Sequence, residues 1–259
     1  MNNELSTPPT EASSRWLNLS QQNYIHQVSI DCVIFGYEDK QIKVLIPKIN
    51  FKGDFWAIPS GFVYQDEDVD QAAERILRER TSLRDIYLEQ FRVFGKADRS
   101  GKEFMNRLIE LNLDKVTEKQ EGKEIKGDYD WFTKRFISIG YYALVDISKV
   151  IPQKSFIDES IGWYTIHELP DMIMDHNQIV EKALKALRSD LDEKLIAFNL
   201  LPETFTMKEV QELYEAIFNK TFVRTNFQKM ILDLNVLERL EKKFTGAANK
   251  APFLYKFKK

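Results

Sequence analysis

The period of the apolar positions changes several times along the chain, and each change marks an element. His26–Phe35 and Gln41–Ile49 are rich in Val and Ile, with Gly36 and Asp39 between them, which predicts a hairpin or two consecutive strands. Phe55–Val63 is a third short apolar run, interrupted by Pro59, Ser60 and Gly61. Val69, Ala72, Ala73, Ile76, Leu77 and Arg80 then recur at helical spacing, so an amphipathic helix is expected over Asp68–Arg80. Asp66 and Glu67 suit its start, where carboxylates meet free N–H groups and the positive end of the helix dipole. Tyr87–Ala97, Phe136–Val145 and Ile161–Leu169 read as strands, and His176–Glu193 as a helix with the stripe Ile179, Ala183, Ala186 and Leu187. Between Ser100 and Asp130 lies a polar stretch rich in Lys and Glu, with a short helix expected from Phe104; its length marks an insertion, mobile or lid-like. Strands flanking a central helix predict a mixed α/β sandwich.

A different pattern follows Pro202. Thr206 is placed to cap a helix through Phe218 whose apolar face is Val210, Leu213, Tyr214 and Ile217. Asn219–Phe222 turns the chain, and Arg224–Leu234 is a second short helix with Phe227, Met230 and Ile231 expected inside. Val236–Phe244 and Pro252–Lys259 flank a loop containing Gly246. Helix, turn, helix and basic hairpin form the layout of a winged helix-turn-helix. The expected organisation is an arm over residues 1–22, an α/β domain over 23–198 with an insertion at about 100–130, and a winged helix over 199–259.

Charge sharpens this division. Residues 219–259 hold ten Lys/Arg against Asp233, Glu238 and Glu241, a net +7; with −3 for the whole chain, the preceding residues carry −10. An acidic body with a basic module suits a polyanionic partner; a solvated lysine-rich tail is the plainer alternative. In the second helix Arg224, Thr225, Gln228 and Lys229, with Asn226 near its start, are long or polar enough to read a major groove. Lys242, Lys243, Lys250, Lys256 and Lys258 on the hairpin suit phosphates.

Composition removes several classes. Cys32, the one cysteine, sits in an apolar run and reads as a buried small hydrophobe. No apolar run approaches the roughly 18 residues of a membrane span, and the N-terminus lacks the apolar core of a signal peptide, so a cytoplasmic protein is expected. His26, His167 and His176 lack ligand spacing; His176, after Asp175 at a helix start, reads as a capping or packing residue. There is no glycine-rich phosphate loop.

The stretch from Gly61 to Leu83 resembles the Nudix box, which reads G, five residues, E, seven residues, R-E-hydrophobic-x-E-E-x-G-hydrophobic. Gly61, Glu67, Arg75, Leu77, Glu79 and Leu83 match; Ile76, Arg80 and Ser82 stand where the pattern has Glu, Glu and Gly. The closing segment from Trp163 to Leu184 is also similar to the family's. The resemblance implies a Nudix-like α/β/α sandwich. Hydrolysis of a pyrophosphate by that fold uses Mg²⁺ or Mn²⁺, which need oxygen ligands. Positions 76, 79 and 80 share a helical face and here hold one acid, with Arg80 expected to pair with Glu79 and repel a dication. No metal site and no cofactor are expected; Mg²⁺ or Mn²⁺ enters only on the alternative reading, an active hydrolase of ADP-ribose or a related nucleoside diphosphate derivative using Glu67, Glu79 and an acid from outside the box. Otherwise Gly61 and Arg75 preserve the loop–helix architecture.

A degenerate Nudix-like domain followed by a winged helix resembles the Nudix-related transcriptional regulators. That resemblance implies a small-molecule effector (a sugar, a sugar phosphate or ADP-ribose), a homodimer, and double-stranded operator DNA as partner. It places the effector near Gly61, Glu67, Arg75, Glu79, Asp98 and Arg99, the last either clamping a phosphate or sugar hydroxyl or standing as an exposed loop arginine. Phe55, Trp56, Tyr64 and Trp131 are candidates for stacking on a ring, with core packing the alternative for at least half of them.

Overall fold

The computed structural model describes residues 24–112, 130–193, 196–243 and 251–258. The expected N-terminal arm, residues 113–129 of the insertion and Lys250 lie outside the described residues. Strands β1 (Tyr24–Glu38) and β2 (Gln41–Ile49) form the expected hairpin, paired from Phe35↔Val44 to Glu38↔Gln41. Its two-residue turn places Asp39 and Lys40 at φ 52° and 60°, the primed-turn geometry that matches strand twist. Strand β3 (Ser60–Tyr64) pairs antiparallel with β1, and helix α1 (Val69–Thr81) follows it. Strands β4 (Tyr87–Phe94), β5 (Ile137–Val145) and β6 (Asp158–Thr165) complete a six-stranded sheet in the order β4-β5-β1-β2-β6, with β3 also on β1; β1 and β5 run parallel. The last strand of the domain lies three to four residues earlier than the sequence reading, because Glu168 turns back onto Thr165.

Alternation along β1 sends its residues to two layers. Ile30, Cys32 and Ile34 pack with Ala72, Ala73, Ile76 and Leu77 of α1. Val33 and Phe35 pack instead with Ile179, Val180, Ala183 and Leu187 of the helix His176–Glu193, α3 here. The result is the α/β/α sandwich. Burial pushes the Cys32 thiol pKa far up, as suits an inert core residue. At the start of the insertion, helix α2 (Lys102–Leu111) is docked, with Leu108 and Phe104 against Phe55. Asn112 fixes its end by accepting from Lys52 N–H and donating to Lys52 O, at 2.8 and 2.9 Å.

In the C-terminal region, β7 (Phe205–Thr206) leads directly into α4 (Met207–Phe218) and α5 (Arg224–Asp233), then β8 (Leu237–Lys242) and β9 (Phe253–Phe257), in a sheet ordered β7-β9-β8. Thr206 and Glu209 form a reciprocal capping box, at 3.2 and 2.6 Å. Phe227 and Ile231 face inward as expected, but Met230 is 45% exposed, being turned some 60° or more around the helix from them.

The two regions share one core. Val33, Phe35, Ile179 and Leu187 belong to the same apolar cluster as Phe205, Val210, Leu213, Ile217 and Phe227. Polar contacts reinforce it: Lys40 Nζ lies 2.9 Å from Glu212, and Arg188 Nε donates to the carbonyl of Ile217 at 2.6 Å. Burial, followed by Glu212, Glu209 and Glu215, raises the pKa of the Tyr37 hydroxyl beside this contact.

Candidate effector site and nucleic-acid interface

The box helix is built as architecture. Asp68 is the N-cap of α1, its N–H donating to Gln71 at 2.9 Å, so Glu67 lies just outside the helix and not in its first turn. Glu67 instead receives Arg75: Nε donates to Oε2 at 2.9 Å and Nη2 to Oε1 at 2.6 Å. The same carboxylate accepts the Tyr64 N–H at 2.9 Å, and Arg75 Nη2 also donates to Phe62 O at 2.8 Å. The guanidinium lies 4.2 Å from the centre of the Tyr64 ring. This one half-buried pair therefore ties the β3–α1 loop to the helix. Gly61 serves close packing: a Cβ there would lie 2.8 Å from Ile76 Cδ1. Ser82 explains the absent box glycine. It ends the helix at φ 60°, with its N–H donating to Arg78 O, so it adopts the left-handed geometry at a cost of about 1 kcal/mol relative to glycine.

Positions 76, 79 and 80 do not form one exposed face. Ile76 is 2% exposed, packed between helix and sheet. Glu79 is exposed, with Arg75 Nη1 at 3.6 Å. Arg80 corrects the sequence reading. It does not pair with Glu79; it turns inward and donates to Asp158 at the start of β6, with both side chains buried. Sequence spacing along one helix cannot reveal a partner 78 residues away. Asp158 is held further by the Ser155 N–H at 2.7 Å. The donor set does not fit Mg²⁺ or Mn²⁺: Glu67 and Asp158 are each neutralised by a guanidinium, and Glu79 is left as a single carboxylate. Among the described residues no group of three His, Cys, Asp or Glu is placed to hold a metal ion.

Asp98 and Arg99 are separated by the fold. Asp98 is exposed, whereas Arg99 is buried. Its Nε donates to Asp175 at 3.0 Å and its Nη2 to Asp31 at 3.2 Å. Ser138 on β5 donates to the same Asp31 oxygen. Next to this cluster His176 Nδ1 accepts the Ile58 N–H at 3.1 Å, a packing role, and burial lowers its pKa so that the neutral ring is favoured. Arg99 is thus neither a free clamp nor an exposed loop residue, but the pin of the loop that carries Asp98. Asp31, Ser138 and Asp175 were missed by sequence reasoning. An aspartate inside the apolar run Val28–Phe35 was the available signal, because a buried charge implies a partner. Of the four aromatics, Phe55, Tyr64 and Trp131 are core and Trp56 is half-buried against Tyr164.

On the winged helix Arg224, Thr225, Asn226 and Lys229 are exposed, and Gln228 is half-buried. Lys242 is exposed beside the Phe253 ring. Lys243 Nζ lies 3.0 Å from Glu209, which ties the hairpin to the start of α4. Lys256 pairs with Glu238 at 3.3 Å, and Lys258 donates to Asn235.

A Nudix-type sandwich sharing its core with a winged helix-turn-helix, with no metal-binding carboxylate cluster among the described residues, has the layout of a ligand-responsive transcriptional regulator. The chain belongs to the Nudix family, whose domain model matches residues 25–186, and it carries an NrtR DNA-binding winged helix domain over residues 197–257. It is similar to the ADPR responsive transcriptional repressor NtrR of Acinetobacter baylyi, with 25% identity over 237 residues, covering 89% of this chain and 81% of that protein. Its fold is that of NrtR from Shewanella oneidensis, solved in complex with a 27mer DNA: TM-score 0.66, 22% identity, 90% of this chain and 94% of the other. A MutT/nudix family protein from Enterococcus faecalis has the same fold, with a TM-score of 0.63, 16% identity, and coverage of 97% and 100%. No helix among the described residues is long and apolar enough to cross a membrane.

Proposed function

We propose that this protein is a transcriptional repressor in which the Nudix domain binds ADP-ribose as an effector, without efficient hydrolysis, and the winged helix grips operator DNA as a homodimer. The observation that carries this reading is the neutralised box: Glu67 and Asp158 are each engaged by an arginine, while the architecture of the box helix is retained. The ADP-ribose response of the Acinetobacter baylyi relative supports that effector over a sugar. Asp98 on the pinned loop, together with Glu67 and Arg75, is the candidate contact set, and Arg99 positions the loop through Asp31 and Asp175. Because the two regions share one core, effector binding alters operator affinity by reorienting packed bodies, not by ordering a linker.

The test combines binding with turnover. ADP-ribose without a divalent ion is expected to raise the melting temperature and to change operator affinity. A ligand at 100 times its Kd adds about 2.7 kcal/mol to the stability of the form that binds it. Phosphate-containing products with Mg²⁺ or Mn²⁺ are expected to stay at background. Robust turnover that disappears in Glu79→Gln would establish the hydrolase reading instead.

The exposed residues of α5 are proposed to read bases, and the hairpin lysines to hold phosphates. Lys242→Ala is expected to weaken binding uniformly across sequences and reduce the salt slope by about 1. Lys243→Ala has an added structural consequence, because Glu209 loses its partner at the α4 cap. Salt titrations of both variants check this; an unchanged slope in Lys242→Ala would remove the hairpin from the interface.

A further inference from the structure

We infer that Val223 and Met230 form an apolar base-reading edge that recognises thymine 5-methyl groups in the operator. The inference deepens the DNA-binding reading and rests on it. Val223 occupies the N-cap of α5, with extended backbone angles and no side-chain capping bond. That position favours Ser, Thr, Asp or Asn, whose oxygens accept a first-turn N–H; valine gives this up. It is moreover 66% exposed, so burial within the fold does not compensate. Met230, two turns along the same flank, is 45% exposed. Together with Lys220, Thr221, Phe222 and Asn226 they line a groove of about 320 Å³ between the α4–α5 turn and α5.

The groove's chemistry selects its occupant. It is apolar along one side, with Asn226 for a base edge and the Lys220 ammonium at its rim, in a region carrying +7. A duplex offers that combination in the major groove, where thymine alone presents a methyl group beside hydrogen-bonding base edges and an anionic backbone. Branched methyls at Val223 and the flexible thioether of Met230 suit such a contact. They would distinguish T·A from C·G steps without a hydrogen bond, and they complement the polar reading assigned to Arg224, Thr225 and Gln228.

The experiment starts from duplexes selected by the full-length protein out of a randomised library, each thymine then being replaced singly by deoxyuridine. At one or more positions the wild-type protein is expected to bind the uracil duplex about fourfold more weakly, the factor associated with one buried methyl-sized group. Val223→Ser removes both methyls and restores a capping hydroxyl. It is expected to bring the T/U ratio to about one at its position with a melting temperature no lower than wild type. Met230→Gln, a helix-compatible replacement, checks the second position the same way. Enriched duplexes that bind equally with T or U, or ratios unchanged in both variants, overturn this inference alone. A library yielding no enriched duplex overturns the DNA-binding reading and this inference with it.

Discussion

Replacing Arg99 with Met is expected to destabilise the fold by about 3–5 kcal/mol, the cost of leaving a buried carboxylate without its cation. Asp31 sits at 2% exposure in the middle of β1, and its other side-chain partner among the described residues is the Ser138 hydroxyl. Methionine matches the length of the arginine stem, so the loss reports on charge more than on cavity. The double variant Arg99→Met/Asp31→Asn removes the uncompensated charge while keeping an acceptor for Ser138, and it is expected to regain most of the stability. Denaturant unfolding of the three proteins measures this coupling directly. A single-variant loss under about 1 kcal/mol would place Arg99 at the surface in solution, and the pinned-loop account of Asp98 would fall with it.

Rewriting Ile76 as the glutamate of the family pattern is expected to cost about 3–5 kcal/mol and to yield no hydrolase. The side chain is packed against Gly61, where even an added Cβ has no room, and it faces sheet residues Ile30, Cys32 and Ile34. A carboxylate there would be set among mainly apolar side chains. Adding Arg80→Glu sets a second acid against Asp158 and removes the cation that neutralises it, so the double variant is expected to be worse than the single one. Melting curves give the stability, and product formation from ADP-ribose with Mg²⁺ gives the chemistry. A stable Ile76→Glu/Arg80→Glu protein that turns over ADP-ribose would mean that the helix retains a catalytic arrangement the packing argument denies.

Most elements were legible in the linear pattern. The box helix, the cap at Thr206 and both helices of the winged module follow from local signals: period, cap residue and turn chemistry act within a few residues of one another. Loss of carboxylate at positions 76 and 80 was equally plain, as was the basic C-terminal region, since both need only residue identities. Gly61 and Arg75 were read as architecture, and the contacts of each give that reading a mechanism.

What the chain alone could not decide was which charges meet. Arg80 finds Asp158, and Arg99 finds Asp31 and Asp175, across separations of 68 to 78 residues. Periodicity places Arg80 on a helix but says nothing of β6, and it did not separate Met230, which is exposed, from Phe227 and Ile231, which are buried on the neighbouring face of α5. The sequence by itself determined the elements, the class of each region and the loss of carboxylate at positions 76 and 80, because those depend on short-range geometry and residue identity. Only the tertiary structure decided how the buried ions pair and that sensor and winged helix share one core, because desolvation makes a buried charge bind whatever opposite charge the topology brings to it.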